Sequence, residues 1–103
     1  MLDRQQVASI VKQVILKWNQ EGFNSLAINR GNCDSFAQDL LNAIPDGQMF
    51  WGDEISHQFI SDCDPYGHCF FFYNGLYYDS ESPEGVSSPD QLAYYQRSMA
   101  VTV

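Results

Sequence analysis

Basic residues are scarce in this chain. Five Lys and Arg stand against thirteen Asp and Glu, a net charge of −8 over 103 residues. Arg4, Lys12, Lys17, Arg30 and Arg97 are scattered rather than gathered into a stripe. The cationic footprint that phosphate contacts need is therefore missing, and no nucleic-acid partner is expected. Long apolar runs are missing too: nothing approaches the roughly 18 to 20 uninterrupted apolar residues of a membrane span. The opening Met1-Leu2-Asp3-Arg4-Gln5-Gln6 lacks the basic and apolar regions of a signal peptide. A cytoplasmic protein with no membrane partner is the expectation. Cysteines number only three, Cys33, Cys63 and Cys69, an odd count with no C-x-x-C pair. That argues against a disulfide-stapled secreted module and leaves at least one thiol free. Repeats, linkers and low-complexity segments are absent as well.

Apolar and aromatic residues are well supplied, at 45% and 15%. A chain of this length closes one core and has no room for a second, so 1–103 reads as a single domain. Val7, Ile10, Val11, Val14, Ile15 and Trp18 recur at the spacing of an amphipathic helix, with Asp3 as N-cap and Glu21-Gly22 as the stop. An irregular, Asn-rich connection over 23–30 is expected next. A second helix begins at Asn32, a favourable N-cap, with Phe36, Ala37, Leu40, Leu41 and Ile44 as its apolar stripe. Pro45-Asp46-Gly47 ends it.

One or two short strands are expected between Gln48 and Asp64. The clearest β pattern comes after them: two aromatic-rich runs, from His68 to Tyr73 and from Leu76 to Asp79, flank Asn74-Gly75, the signature of a type I′ hairpin. Pro83-Glu84-Gly85 is read as a break in that pairing. A short helix is expected from Ser88-Pro89-Asp90 through Tyr95, with Tyr94 and Tyr95 as a packing face. Met99 to Val103 is β-prone; an edge at Val101-Thr102-Val103 would be able to pair with another copy, so the oligomeric state is open.

Two positions in this layout carry chemistry. Cys33 lies three and four residues before Phe36 and Ala37, which points its thiol inward from a helix start. In the hairpin register, His68 shares a face with Phe70, Phe72, Tyr77 and Asp79, and with Glu81 if the ladder extends that far. A thiol at a helix N-terminus, an imidazole and a carboxylate behind it are what a cysteine nucleophile needs. Asp34 works against the helix dipole, because its charge disfavours a neighbouring thiolate.

The run Gly31-Asn32-Cys33-Asp34-Ser35-Phe36-Ala37 resembles the Cys-bearing helix start of papain-like proteins, especially compact NlpC-like and phage-encoded members. The segment from Gly67 to Val86 is similar to their His strand, turn and acidic strand. The likeness implies an α+β fold, with N-terminal helices packed on a small antiparallel sheet that contains the 68–79 hairpin. It also implies a cysteine peptidase or amidase acting on a peptide, isopeptide or other amide substrate without a cofactor. Cys33 would be the nucleophile, His68 the base and then the acid, and Asp79 the orienter, with Glu81 as the alternative. The backbone N–H of Cys33 is the natural oxyanion donor, with Asn29 or Asn32 as side-chain candidates. No residue here corresponds to the Gln that precedes Cys in true papains.

Other chemistries fit less well. Zinc bound by His57, Cys63, His68 and Cys69 would need adjacent strand residues to face the same side, so no metal is expected. The Phe and Tyr runs alternate between faces, which favours a core over a stacking platform. The competing possibility keeps the scaffold and drops the enzyme: an inactive papain-like protein serving in protein interaction.

Overall fold

The computed structural model describes residues 1–51 and 68–96. Helix α1 spans Arg4–Gln20. Its start is a capping box: the Asp3 side chain accepts from the Gln6 N–H, and the Gln6 side chain accepts from the Asp3 N–H. Two orphan donors of the first turn are thus satisfied reciprocally. Its apolar stripe buries Val7 and Val11 against Ile28, Phe36, Leu40, Ile44, Phe71, Tyr73 and Tyr78, and each such side chain contributes about 1.5–3 kcal/mol. Trp18 packs on this core and donates its indole N–H to Asp39 at 2.9 Å.

The connection that the sequence leads one to expect as irregular holds a short helix, α2, over Ser25–Asn29. Asn24 caps it by accepting from the Ala27 N–H at 2.8 Å. Five residues are too few for a periodic pattern to announce a helix; the cap and the docking of Ile28 into the core hold it. Helix α3, Cys33–Ala43, lies where expected, but its N-cap differs. Asn32 occupies the cap position without a side-chain hydrogen bond.

Four strands form one antiparallel sheet in the order β1 (Gln48–Trp51), β2 (Cys69–Tyr73), β3 (Leu76–Asp79), β4 (Ser82–Val86). The β2–β3 register is Tyr73 with Leu76, Phe72 with Tyr77 and Phe71 with Tyr78. Asn74 and Gly75 both have positive φ, 49° and 83°, the conformation that a type I′ turn demands. One face of the sheet carries Phe71, Tyr73 and Tyr78 against α1 and α3, while the other carries Phe70 and Tyr77 against Leu92, Tyr94 and Tyr95. A 3₁₀ turn at Pro89–Gln91 and a helical turn over 93–96 bring that second layer in.

The chain is therefore α+β, with helices packed on a four-stranded antiparallel sheet. Strand β4 corrects an expectation, because Pro83-Glu84-Gly85 lies inside a strand instead of ending the pairing. An edge strand tolerates Pro, and the register shifts between the Tyr77–Val86 and Asp79–Ser82 pairs, so a bulge absorbs the extra residues. Gly85 sits in this bulge at φ 80° beneath the Tyr78 ring, and Arg4 donates to the carbonyls of Glu84 and Gly85. No helix among the described residues is long and apolar enough to cross a membrane. The expected strand at 99–103 and most of the 48–64 region lie outside the described residues.

Gly75 and Gly85 share nearly the same φ, but a Cβ at Gly85 would meet the Tyr78 ring at 2.8 Å while one at Gly75 would meet nothing within 4 Å. Gly75→Ala should therefore cost on the order of 1 kcal/mol of unfolding free energy, and Gly85→Ala about 1–3 kcal/mol more. Urea denaturation of the two variants measures the difference, and equal losses would contradict the packing argument.

Candidate active site

Helix α3 delivers Cys33, and His68 stands immediately before β2. Cys33 is the first residue of α3 and 8% exposed. It packs with Ala37 and Cys69, flanked by Met49 and Trp51. The Cys69 backbone N–H donates to Cys33 Sγ at 3.5 Å, which ties the helix start to the strand that follows the histidine. Cys33 is a free thiol.

His68 is completely buried, and Asp79 is 2% exposed. Imidazole Nε2 lies 2.9 Å from Asp79 Oδ2. The opposite ring nitrogen, Nδ1, is buried without a hydrogen-bond partner. Tyr94 stacks on the ring face with centroids 4.2 Å apart and planes 13° from parallel, and Tyr95 meets it edge-on. Burial pushes the imidazole toward its neutral form. The Asp79 hydrogen bond, the Cys33 thiol as hydrogen-bonding neighbour, and the negative charges of both oppose it, and the balance lies above the ordinary value of 6.5. Cys33 thus bears on the protonation of the ring, although Nδ1 has no hydrogen-bond partner among the described residues.

The choice between Asp79 and Glu81, open in the sequence, falls to Asp79. Ser80 and Glu81 form the turn into β4, where Asp79 pairs with Ser82, so Glu81 never comes opposite His68. Its backbone N–H instead donates to Asp79 Oδ1 at 2.9 Å. The Ser80 hydroxyl donates to the Ser25 carbonyl at 2.7 Å, which docks this turn on α2.

Asn29 also differs from its expected place. Its amide Nδ2 donates to Glu81 Oε1 at 2.9 Å and to Asp79 Oδ2 at 3.4 Å, so it serves the carboxylates and is not free for an oxyanion. Its Oδ1 is buried and unpartnered, a cost of about 1–3 kcal/mol, which bonds to charged acceptors offset at about 1.5–3 kcal/mol each. Asn32 makes no cap hydrogen bond and remains beside the helix start. The Cys33 backbone N–H belongs to the first turn of α3, whose leading N–H groups lack intrahelical partners.

Sequence reasoning named Asn29 for another role and missed the part Tyr94 plays. Asn29 meets its partners across 50 and 52 positions, with no local pattern to announce it. Tyr94 was legible only as an aromatic on a short helix, not as the cover of an imidazole. Of the zinc candidates, His57 and Cys63 lie outside the described residues; among the described residues no group of three His, Cys, Asp or Glu side chains is placed to hold a metal. Comparison of the chain with family models, curated proteins and solved structures finds no match.

A histidine whose folded pKa lies above 6.5 contributes stability that is fully present below its unfolded pKa and lost as pH rises through the folded value. His68→Gln removes that contribution. The gap in unfolding free energy between parent and variant should be wider at about pH 5.5 than at about pH 9. Urea titrations at both pH values check this, and a gap that widens toward alkaline pH would contradict it.

Proposed function

We propose that this chain is a cysteine hydrolase of papain-like, NlpC-like architecture, which cleaves a peptide, isopeptide or other amide bond with Cys33, His68 and Asp79. One observation carries the reading: a buried imidazole has Asp79 on Nε2 and an unpartnered Nδ1, and Cys33 at a helix start accepts the backbone N–H of Cys69, the residue next to His68. Asp79 accepts from Nε2–H and so directs the Nδ1 lone pair toward the remaining neighbour. This is the tautomer that a base for the thiol requires.

In the reaction, Nδ1 takes the Cys33 proton, and the resulting imidazolium and thiolate stabilise each other. Sulfur attacks the amide carbonyl carbon, and the carbonyl electron pair moves onto oxygen. The Cys33 backbone N–H receives that developing charge, aided by the N-terminal end of α3. Collapse of the tetrahedral adduct breaks the C–N bond, with the Nδ1 proton passing to the leaving amine. An acyl thioester remains on Cys33. Water then gives a proton to Nδ1 as its oxygen attacks the thioester, which releases the acid and restores the thiol.

A second reading, an inactive scaffold of the same architecture used in protein interaction, draws on Asp34, whose charge in the first turn of α3 opposes a thiolate. The two separate on thiol reactivity. Under the hydrolase reading, iodoacetamide at about pH 6 labels Cys33 at least about tenfold faster than a free thiol, and His68→Ala abolishes the advantage. Mass spectrometry of the labelled peptide reports the rate. Labelling no faster than a free thiol, or unchanged by His68→Ala, would sink the hydrolase and leave the scaffold.

A further inference from the structure

Among the described residues, three nitrogens surround the Asp79 carboxylate. Oδ1 receives the Glu81 backbone N–H, and Oδ2 receives His68 Nε2 and the Asn29 amide. With Nδ1 buried and unpartnered, a ring proton placed on Nε2 is the one that finds an acceptor, and all three groups then donate to the carboxylate. Asn29 also holds the neighbouring carboxylate. Its second amide hydrogen goes to Glu81 Oε1, and a single NH₂ group thereby bridges two negative charges. At 3% exposure it does so out of reach of bulk water. It closes α2, whose docking on the β3–β4 turn is reinforced by the Ser80 bond to the Ser25 carbonyl. The backbone therefore places the amide and both carboxylates independently of one another.

We propose that Asn29 is a positioning residue for the carboxylate that orients His68: it fixes Asp79 on Nε2 and bridges it to Glu81, which the turn has carried away from the ring. This rests on the Cys33–His68 pairing proposed above. Without the amide, Asp79 and Glu81 repel each other across the space it filled, Asp79 loses its fixed angle, and the Nδ1 lone pair is no longer aimed. Reactivity that depends on His68 then falls, whereas thiolate formed directly by alkaline solvent does not need the imidazole and is unaffected.

The test is the pH profile of Cys33 alkylation by iodoacetamide in the parent, Asn29→Ala and the double variant Asn29→Ala/Glu81→Gln. Asn29→Ala should slow labelling about tenfold at pH near 6 and leave it unchanged at pH near 9.5. Glu81→Gln in that background should recover part of the loss, because the neighbouring charge is gone. A purely structural role would slow or speed both ends of the profile together. The proton NMR signal of the Asp79-bound imidazole N–H is read alongside, sharp in the parent and broadened or lost in Asn29→Ala. Should Asn29→Ala not fold, Asn29→Ser, which keeps one donor, is expected to show an intermediate profile. A parent whose acid-side labelling depends on His68, combined with a variant profile and imidazole signal like the parent's, overturns the role of Asn29 alone. A parent without that dependence overturns the Cys33–His68 pairing and this proposal with it.

Discussion

The site depends on one buried contact, the 2.9 Å hydrogen bond between His68 Nε2 and Asp79 Oδ2. An imidazole with no exposed surface is penalised for carrying charge. Here the penalty is opposed by a carboxylate that its own surroundings hold as an acceptor, and the folded protein prefers the protonated ring beyond its usual range. Remove the carboxylate and the same burial would drive the histidine neutral with a free choice of tautomer. The roles assigned to Nδ1 and Cys33 follow from that contact.

Remote parts of the fold converge on maintaining it. The β3–β4 turn forms at Ser80 and Glu81 because Asp79 already pairs with Ser82 across it, and α2 holds the turn through Ser80 and Asn29. On the opposite side, the 3₁₀ turn at Pro89–Gln91 and the helical turn after it set Tyr94 flat against the ring. The bulge at Gly85, with Arg4 of α1 reaching its carbonyls, lets the edge strand end where Tyr78 needs space. Helix α3 then supplies Cys33 by the ordinary logic of an apolar stripe: Phe36, Ala37 and Leu40 face the sheet, and the thiol one turn earlier faces it too.

Much of this was legible in the residues. The capping box at Asp3, the stripe of α3 and the Asn74-Gly75 turn are local, and each is written in a few adjacent positions. Where local and tertiary preferences disagree, the reading failed. Pro83 and Gly85 look like breakers until the edge position and the bulge are known, and α2 is too short to show a period. Asp79 and Glu81 look equivalent along the chain, since only the turn between them decides which one meets His68. Asn29 looks like an available donor until its two carboxylates, fifty positions away, arrive beside it. The papain-like architecture remains a proposal that rests on the Cys33–His68–Asp79 arrangement and on the order of those residues in the chain.

The interaction between Cys33 and His68 is the claim on which the functional account stands, and an NMR titration of the His68 imidazole tests it most directly. In the parent the ring should titrate above 6.5, and Cys33→Ala, which removes the sulfur that raises it, should lower that value. A ring that titrates at or below 6.5, or one indifferent to Cys33→Ala, would contradict the pairing.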